Sequence, residues 1–396
     1  MAGIYIHIPF CKKKCIYCNF YSIVNTKQME EYVEAMVKEF KRRRAVCGVR
    51  CTVCGNKEQK AESSLTLLRS YGLPISTIYF GGGTPSLLPA GALEKIMNAI
   101  YENFKIDAEV ECTIEANPEQ CSLAYLTELK KLGFNRISIG IQSFNDNILH
   151  FLGRTHSGKD ALLAIENAQK AGFEDISIDL IYGIYLRSLQ NWAQELQMVF
   201  QLPVKHLSAY SLTVEENTLL HKKISQQKML NIDEEQSLHE MQLLINETKK
   251  VGFEHYEVSN FALKGYHSKH NSNYWNGTPY LGFGASAHSF YENARSWNIA
   301  NVNKYIQAIK ENELFYEIEY LSPENQYNEY ILLRLRTRDG IDLKHFKDCF
   351  GIEKRDYFLK ALQKIEPQYY THQSNHVLIT DKGLPLLDFI TASLFF

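Results

Sequence analysis

The sequence predicts an α/β fold: a partial (β/α)6 barrel with a small C-terminal winged-helix-like α+β domain. Three observations carry this. Strand-like and helical patterns alternate over the first two thirds of the 396 residues, as parallel sheets with right-handed crossovers require. Gly133, Gly172 and Gly252 follow helical stretches at the position where helices stop in a left-handed turn. From about Glu317 the alternation gives way to a different pattern. The chain then divides into 1–215, the barrel core with an inserted loop around 45–74; 216–316, an extension of the barrel; and 317–396, the C-terminal domain.

In chain order, the strand candidates are Gly3–Phe10, Thr77–Phe80, Val110–Ile114, Arg136–Ile141, Asp175–Ile181 and His206–Leu212. The first alternates Ile4, Ile6 and Ile8 with Tyr5 and His7. The helices between them are Lys27–Arg44, Ala90–Phe104, Ser122–Leu132, Gly158–Ala171 and Leu189–Phe200. Six βα units suit a curved, partial barrel better than a closed one of eight strands. In the C-terminal part, Tyr327–Arg338 and Leu343–Phe350 read as helices, the second ending at Gly351; His376–Thr380 reads as a strand, and Asp381-Lys-Gly383 opens a last helix.

The unusual residues fall at strand ends. Cys11, Cys15 and Cys18 follow the first strand with the spacing C-x3-C-x2-C. Gly81-Gly82-Gly83-Thr84-Pro85 follows the second, Glu115-Ala-Asn117-Pro118 ends the third, Gln142-Ser143-Phe144 ends the fourth, and Asp179 lies towards the end of the fifth. Strand ends in such a barrel converge on one face, so five segments are expected at one site. Iron–sulfur cubanes usually take four thiolates; three leave one iron open for a small chelating ligand, the arrangement that radical chemistry with S-adenosylmethionine requires. Lys12, Lys13 and Lys14 would offset cluster charge. The alternatives are free thiols or a zinc site, although zinc wants a fourth ligand and C-x3-C is a less usual zinc spacing. The glycine turn lets backbone approach a ligand closely, Glu115 or Asp179 can accept from hydroxyls or an amine, and Arg154 can pair with a carboxylate if its loop folds back.

Composition narrows the function. A net charge of −2 gives no electrostatic footprint for nucleic acid. No cationic start leads into a long apolar core, and no run of 18 apolar residues appears, so neither a secretory signal nor a membrane span is expected. Nine cysteines in clustered spacing point to metal binding in a reducing cytoplasm, not to disulfides.

Tyr5-x-His7-x-Pro9-Phe10-Cys11, the Gly-Gly-Gly-Thr-Pro turn, Glu115, Gly140-Ile-Gln142-Ser143-Phe144 and Asp179-Leu-Ile-Tyr-Gly183 together resemble the signatures of the radical-SAM coproporphyrinogen oxidase-like family, over nearly the whole length. The resemblance implies a [4Fe–4S] cluster on Cys11, Cys15 and Cys18, and S-adenosylmethionine contacts at Tyr5, Gly82, Gly83, Thr84, Glu115, Gln142, Arg154 and Asp179. Two activities occur in the family: an oxygen-independent oxidase of coproporphyrinogen III and a HemW-type haem chaperone. The oxidases carry a further cysteine two positions after the third, where this chain has Phe20, and a long arm before the first strand, where only four residues precede Tyr5. His255-Tyr-Glu257-Val-Ser-Asn260-Phe261 and Ser268-Lys-His270-Asn271-Ser-Asn-Tyr274-Trp275 resemble the chaperone branch. The second contains the H-N-x-x-Y-W motif associated with haem. His270 could ligate iron, with His267 and His288 as rivals, while Tyr274 and Trp275 offer flat surfaces. The other reading is that His270 and Asn271 cap a loop and Trp275 packs in a core. The expectation is therefore a cytoplasmic haem carrier that passes haem to an acceptor protein, without nucleic acid. Any membrane contact would be peripheral and through the acceptor, and monomer and dimer both remain open. The alternative is the oxidase or another radical enzyme.

Two features depart from the pattern. Cys47, Cys51 and Cys54 repeat the spacing of the first triplet within the inserted loop, with no strand before them and no glycine turn to match. After the fifth strand, Gly183-Ile-Tyr-Leu-Arg187 stands where a proline is usual. Cys112, Cys121 and Cys349 read as small core or surface residues.

Overall fold

The computed structural model describes residues 1–45 and 73–396; Cys47, Cys51 and Cys54 lie outside the described residues. Six parallel strands, β1 (Ala2–Ile8), β2 (Ile75–Gly82), β3 (Ile106–Ala116), β4 (Arg136–Gln142), β5 (Asp175–Tyr182) and β6 (His206–Ser211), stand side by side in chain order. Helices α1 (Met29–Ala45), α2 (Ala90–Asn103), α3 (Leu123–Lys131), α4 (Asp146–Leu152), α5 (Gly158–Lys170) and α6 (Leu189–Val199) connect them. The period-two alternation decides which side each residue faces. Ile4, Ile6 and Phe80 join Tyr32 and Met36 of α1 and Ile96 of α2 in one apolar core. The residues between them are polar and meet one another across the other face: Tyr79 Oη donates to Glu115 Oε1 at 2.7 Å, Ser138 Oγ to Asp179 Oδ1 at 3.1 Å, and Ser177 Oγ pairs with His206 Nδ1 at 2.8 Å.

The sheet continues beyond these six strands on both sides. The chain goes on through α7 (Leu219–Ser225), α8 (Glu234–Lys250), β7 (Glu254–Glu257), β8 (Asn260–Ala262), α9 (Lys269–Asn276), β9 (Tyr280–Phe283), β10 (His288–Tyr291), β11 (Ala294–Asn298), α10 (Val302–Glu311) and β12 (Tyr316–Tyr320). The twelve-stranded order is β12-β11-β10-β9-β1-β2-β3-β4-β5-β6-β8-β7. β8 runs antiparallel to β6, and β9 parallel to β1. Both edges therefore come from one stretch of sequence, and α9 lies on the path between them.

The C-terminal part forms α11 (Pro323–Arg334), β13 (Ile341–Asp342), α12 (Leu343–Leu362), β14 (Tyr370–Gln373), β15 (His376–Ile379) and α13 (Leu387–Ser393). Its small sheet has the order β13-β15-β14, over a core of its own that includes Tyr327, Ile331, Phe346 and Val377. Three details differ from expectation. The first helix starts and ends earlier, because Ser322 caps it and Pro323 takes the first turn. The chain kinks at Gly351 (φ 83°, ψ 171°) but helix resumes to Leu362. Neither β13 nor β14 was expected; β14 pairs with β15 through a tight turn in which Ser374 takes φ 54°, a hairpin signal carried only by the Ser-Asn pair.

Candidate functional site

The cysteine loop leaves the C-terminal end of β1 and is tied down on both sides. Cys11 N donates to Ile23 O at 2.9 Å, Leu220 N of α7 donates to Ile16 O at 2.8 Å, and Asn19 Nδ2 reaches Glu215 Oε2 at 3.2 Å. Cys11, Cys15 and Cys18 are free and partly exposed, and burial pushes the Cys18 thiol up. The glycine turn is stitched against them: Gly83 N donates to Ile8 O and Thr84 N to Phe10 O, each at 2.8 Å. Gly82 takes φ 108°, and a Cβ there would stand 2.6 Å from the His7 ring; one on Gly83 would stand 2.7 Å from Phe10 O. Only glycine permits this approach.

A chain of polar contacts joins two of the sulfurs. Thr84 Oγ1 donates to Cys11 Sγ at 3.7 Å, and Asn117 Nδ2 to Thr84 Oγ1 at 3.1 Å. Arg154 Nη2 donates to Asn117 Oδ1 at 2.7 Å and to Gly140 O at 2.6 Å, while its Nη1 reaches Cys15 Sγ at 3.5 Å. The loop after β4 does fold back, turning at Gly153 (φ 79°). Asn117 was not among the expected site residues, although it sits one residue past β3 with Glu115. An Asn before a proline reads as turn chemistry, which hid its role as the link between Thr84 and Arg154.

Below this rim lie Tyr5, Glu115, Gln142 and Asp179. Tyr5 Oη and His7 Nδ1 are 3.1 Å apart. Burial, with Asp179 nearby, raises the Glu115 carboxyl to about 7, against the hydrogen bond from Tyr79. Burial also raises Asp179, which Ser138 and Ser208 hold by hydrogen bonds. Gln142 ends β4 at φ 70°. Glu195 holds the residues after it, accepting from Ser143 Oγ at 2.6 Å and Phe144 N at 2.5 Å. Arg187, in the segment that departs from the family pattern, is buried between Glu195 and Glu240, 2.8 Å from each.

The second group of expected residues is elsewhere. His270, Asn271, Tyr274 and Trp275 lie on α9, at the opposite mouth of the barrel. Glu111 accepts from Lys269 N and His270 N at 2.8 and 2.9 Å, and the His270 ring lies against Gly3 and Thr77 at the starts of β1 and β2. Gly3 and Ile8 are separated by about 17 Å of strand at ~3.3 Å per residue. His270 is 1% exposed. Its Nδ1 is 2.8 Å from Thr77 Oγ1 and its Nε2 3.0 Å from Tyr274 Oη. Its ring stacks on Tyr79 at 4.9 Å. Neither nitrogen faces an open ligand position, so this is the packed arrangement and not that of an exposed iron ligand. Asn271 is half-buried, its N–H capped by Ser268 Oγ at 3.2 Å, and Trp275 Nε1 is buried without a partner among the described residues. Of the rivals, His267 pairs with Glu254 at 3.0 Å, and His288 is exposed beside Trp297.

The donor set at the upper mouth fits an iron–sulfur cluster. Three soft thiols stand on one loop, and a guanidinium and a hydroxyl donate to two of them, as anionic clusters are tuned. Among the described residues no three His, Cys, Asp or Glu side chains gather closely enough for a single metal ion; a cubane holds its thiolates further apart than one ion does.

The model of the Radical SAM superfamily matches residues 5–199, and that of the HemN C-terminal domain matches 321–386. "Heme chaperone HemW" of Bacillus subtilis is 31% identical over 97% of this chain and 96% of its own length. The protein of that name from Lactococcus lactis is 32% identical over 96% and 94%. Among solved structures, coproporphyrinogen III oxidase (HemN) from Escherichia coli has a TM-score of 0.80 at 23% identity, covering all of this chain and 90% of its own; at that identity the likeness is one of fold. The chain belongs to the radical SAM superfamily, in the family of the heme chaperone HemW proteins.

Proposed function

We propose that this protein binds haem and delivers it to an acceptor protein, with a [4Fe–4S] cluster and S-adenosylmethionine at the upper mouth of the barrel. The observation that carries the reading is full-length identity above 30% to relatives named haem chaperones. Cys11, Cys15 and Cys18 would hold the cluster, leaving one iron for the amine and carboxylate of S-adenosylmethionine. Bound there, the cluster supplies electrons, the redox chemistry for which the superfamily is named. The chain's own residues have separate tasks. Thr84, Asn117 and Arg154 fix the sulfurs of Cys11 and Cys15 relative to one another. Gly82 and Gly83 bring backbone up to the ligand. Glu115 and Asp179 accept from its hydroxyls or amine, with Tyr5 and Gln142 closing the sides.

The α9 segment is the haem-facing part of the barrel in this reading. His270 organises it from inside through Thr77 and Tyr274, while Asn271 and Trp275 border the surface. The protein would work in the cytoplasm; among the described residues no helix is long and apolar enough to cross a membrane. The test is transfer. Haem-loaded protein mixed with an apo-haemoprotein should give up its haem, read by the Soret band of the acceptor. A protein that takes up no haem would refute the reading.

A further inference from the structure

The loop that carries the three cysteines also presents an outer face. Residues 1–29 hold four lysines, Lys12, Lys13, Lys14 and Lys27, and neither an aspartate nor a glutamate, although the net charge of the chain is −2. All four lysines are exposed, and none makes an ion pair among the described residues. The first carboxylates to follow are Glu30 and Glu31 in α1, and Glu31 is turned to Lys310 at 3.6 Å. Glu215, which does reach the loop, is engaged by Asn19 at 3.2 Å. Two large apolar side chains stand out of the same loop: Phe20 is 71% exposed and Val24 53%. The backbone beneath them is pinned. Cys11 N, Ile16 N and Ile23 N donate to Ile23 O, Leu152 O and Pro9 O at 2.9, 3.3 and 2.7 Å. An exposed aromatic ring on fixed backbone, within a field of one sign, is the mark of a contact surface.

This face reaches the sulfurs. Burial pushes the Cys18 thiol up, while the Phe20 N–H and the Lys14 ammonium act to lower it, so both groups lie beside that sulfur. A partner seated on Phe20 and Lys14 would stand against a ligand of the cluster, where an electron has a short way in. A cluster that gives out electrons has to be recharged one electron at a time. Carriers of single electrons are flavin and iron–sulfur proteins. The flat, exposed ring of Phe20 suits the apolar edge of a flavin, and the lysines around it suit a protein of negative charge.

We propose that Lys12, Lys13, Lys14 and Phe20 form the docking surface for an acidic, one-electron flavoprotein, with Phe20 against the edge of its flavin. This rests on the cluster reading. The reduced flavin gives up one electron, and the cluster passes from its 2+ to its 1+ state; no bond is made or broken. Encounters of this kind bury little surface and are steered by charge, so the complex should be weak and sensitive to salt. The test uses the full chain with its cluster reconstituted anaerobically, and a bacterial flavodoxin, an acidic FMN protein, as the probe. Calorimetric titration with oxidised flavodoxin reads binding, on protein with and without its cluster, so that a variant that loads iron poorly is still scored. Loss of visible absorbance on mixing with reduced flavodoxin reads electron transfer. The wild-type affinity should fall about tenfold between about 50 and about 300 mM salt. K12E/K14E should lose about tenfold in affinity and in rate of reduction. K344E/K347E makes the same change of net charge on exposed lysines of α12 and should bind as the wild type. F20S should bind about threefold more weakly at either salt concentration, because its contact is apolar. Equal losses in the two lysine pairs would overturn the surface, since net charge alone would then act. A [2Fe–2S] ferredoxin that binds more tightly than flavodoxin and is indifferent to F20S would overturn the flavin assignment. No binding of flavodoxin by the cluster-loaded wild type would overturn the proposal and leave the cluster reading intact, whereas a wild type that takes up no iron would take down the cluster reading itself.

Discussion

Arg187 makes the sharpest test of how the strand ends are held. Its side chain is 1% exposed, bridges Glu195 and Glu240 at 2.8 Å each, donates to Ile181 O at 3.1 Å, and lies 4.0 Å over the Trp192 ring. The two carboxylates in turn hold backbone: Glu195 holds Phe144 N, and Glu240 holds Gly183 N at 2.7 Å. R187M keeps much of the volume but strands two buried carboxylates. Removing one partner from a buried pair costs about 3–5 kcal/mol, and the lost contact with Trp192 adds to this. The triple variant R187M/E195Q/E240Q removes the stranded charge and should recover part of the loss, since the amide oxygen that E195Q introduces can still accept from Ser143 and Phe144. Urea unfolding followed by tryptophan fluorescence reads both. A cost below about 1 kcal/mol for R187M, or a triple variant no better than the single one, would refute the claim that this network is a charged clamp.

Other outcomes follow from the same geometry. N117A should break the link from Thr84 to Arg154 while leaving the fold intact; anaerobically reconstituted protein should then lose the visible absorbance of its cluster faster in air than the wild type, and equal lifetimes would count against the link. G82A puts a Cβ against the His7 ring at a positive φ and should cost more than about 1 kcal/mol in urea unfolding. Glu115 is raised to about 7 in the folded state from an ordinary value of 4.5, so its contribution is full below pH 4.5 and declines as pH rises to 7. The shift corresponds to about 3 kcal/mol. His7, lowered to about 4 by burial, acts in the opposite sense, losing stability as pH falls from 6.5 to 4. The difference between E115Q and wild type in unfolding free energy at pH 5 and pH 7 isolates the glutamate; a pH-independent difference would remove it from the account. C11A/C15A/C18A should lose the iron that anaerobic reconstitution gives the wild type, and full retention would move the cluster to Cys47, Cys51 and Cys54.

The barrel was legible because each of its strands combines alternation with a clear turn or helix after it. β1 illustrates this: Ile4, Ile6 and Ile8 go to the core, and Tyr5 and His7 to the polar lumen. The short strands that extend the sheet on either side of the barrel were not legible. β7, β8 and β9 have four, three and four residues, too short for periodicity to separate from loop. Convergence at the upper mouth could be read from strand order for Cys11, Thr84 and Asn117, which directly follow parallel strands; Arg154, beyond α4, was expected there only if its loop folded back. The position of α9 could not. It is set by Glu111 capping its first N–H groups, a contact 159 residues distant in sequence. Nor could Arg187 be read as buried, because arginine in a loop ordinarily faces water; only the meeting of Glu195 and Glu240 makes its burial tolerable.

The most direct test of the central claim is anaerobic incubation of the cluster-loaded protein with S-adenosylmethionine and a reductant, once with haem and once with coproporphyrinogen. The account predicts that haem binds and remains bound until an apo-acceptor is added, and that the porphyrinogen is recovered with all its carboxylates. Decarboxylated porphyrinogen would contradict it and make the chain an oxidase.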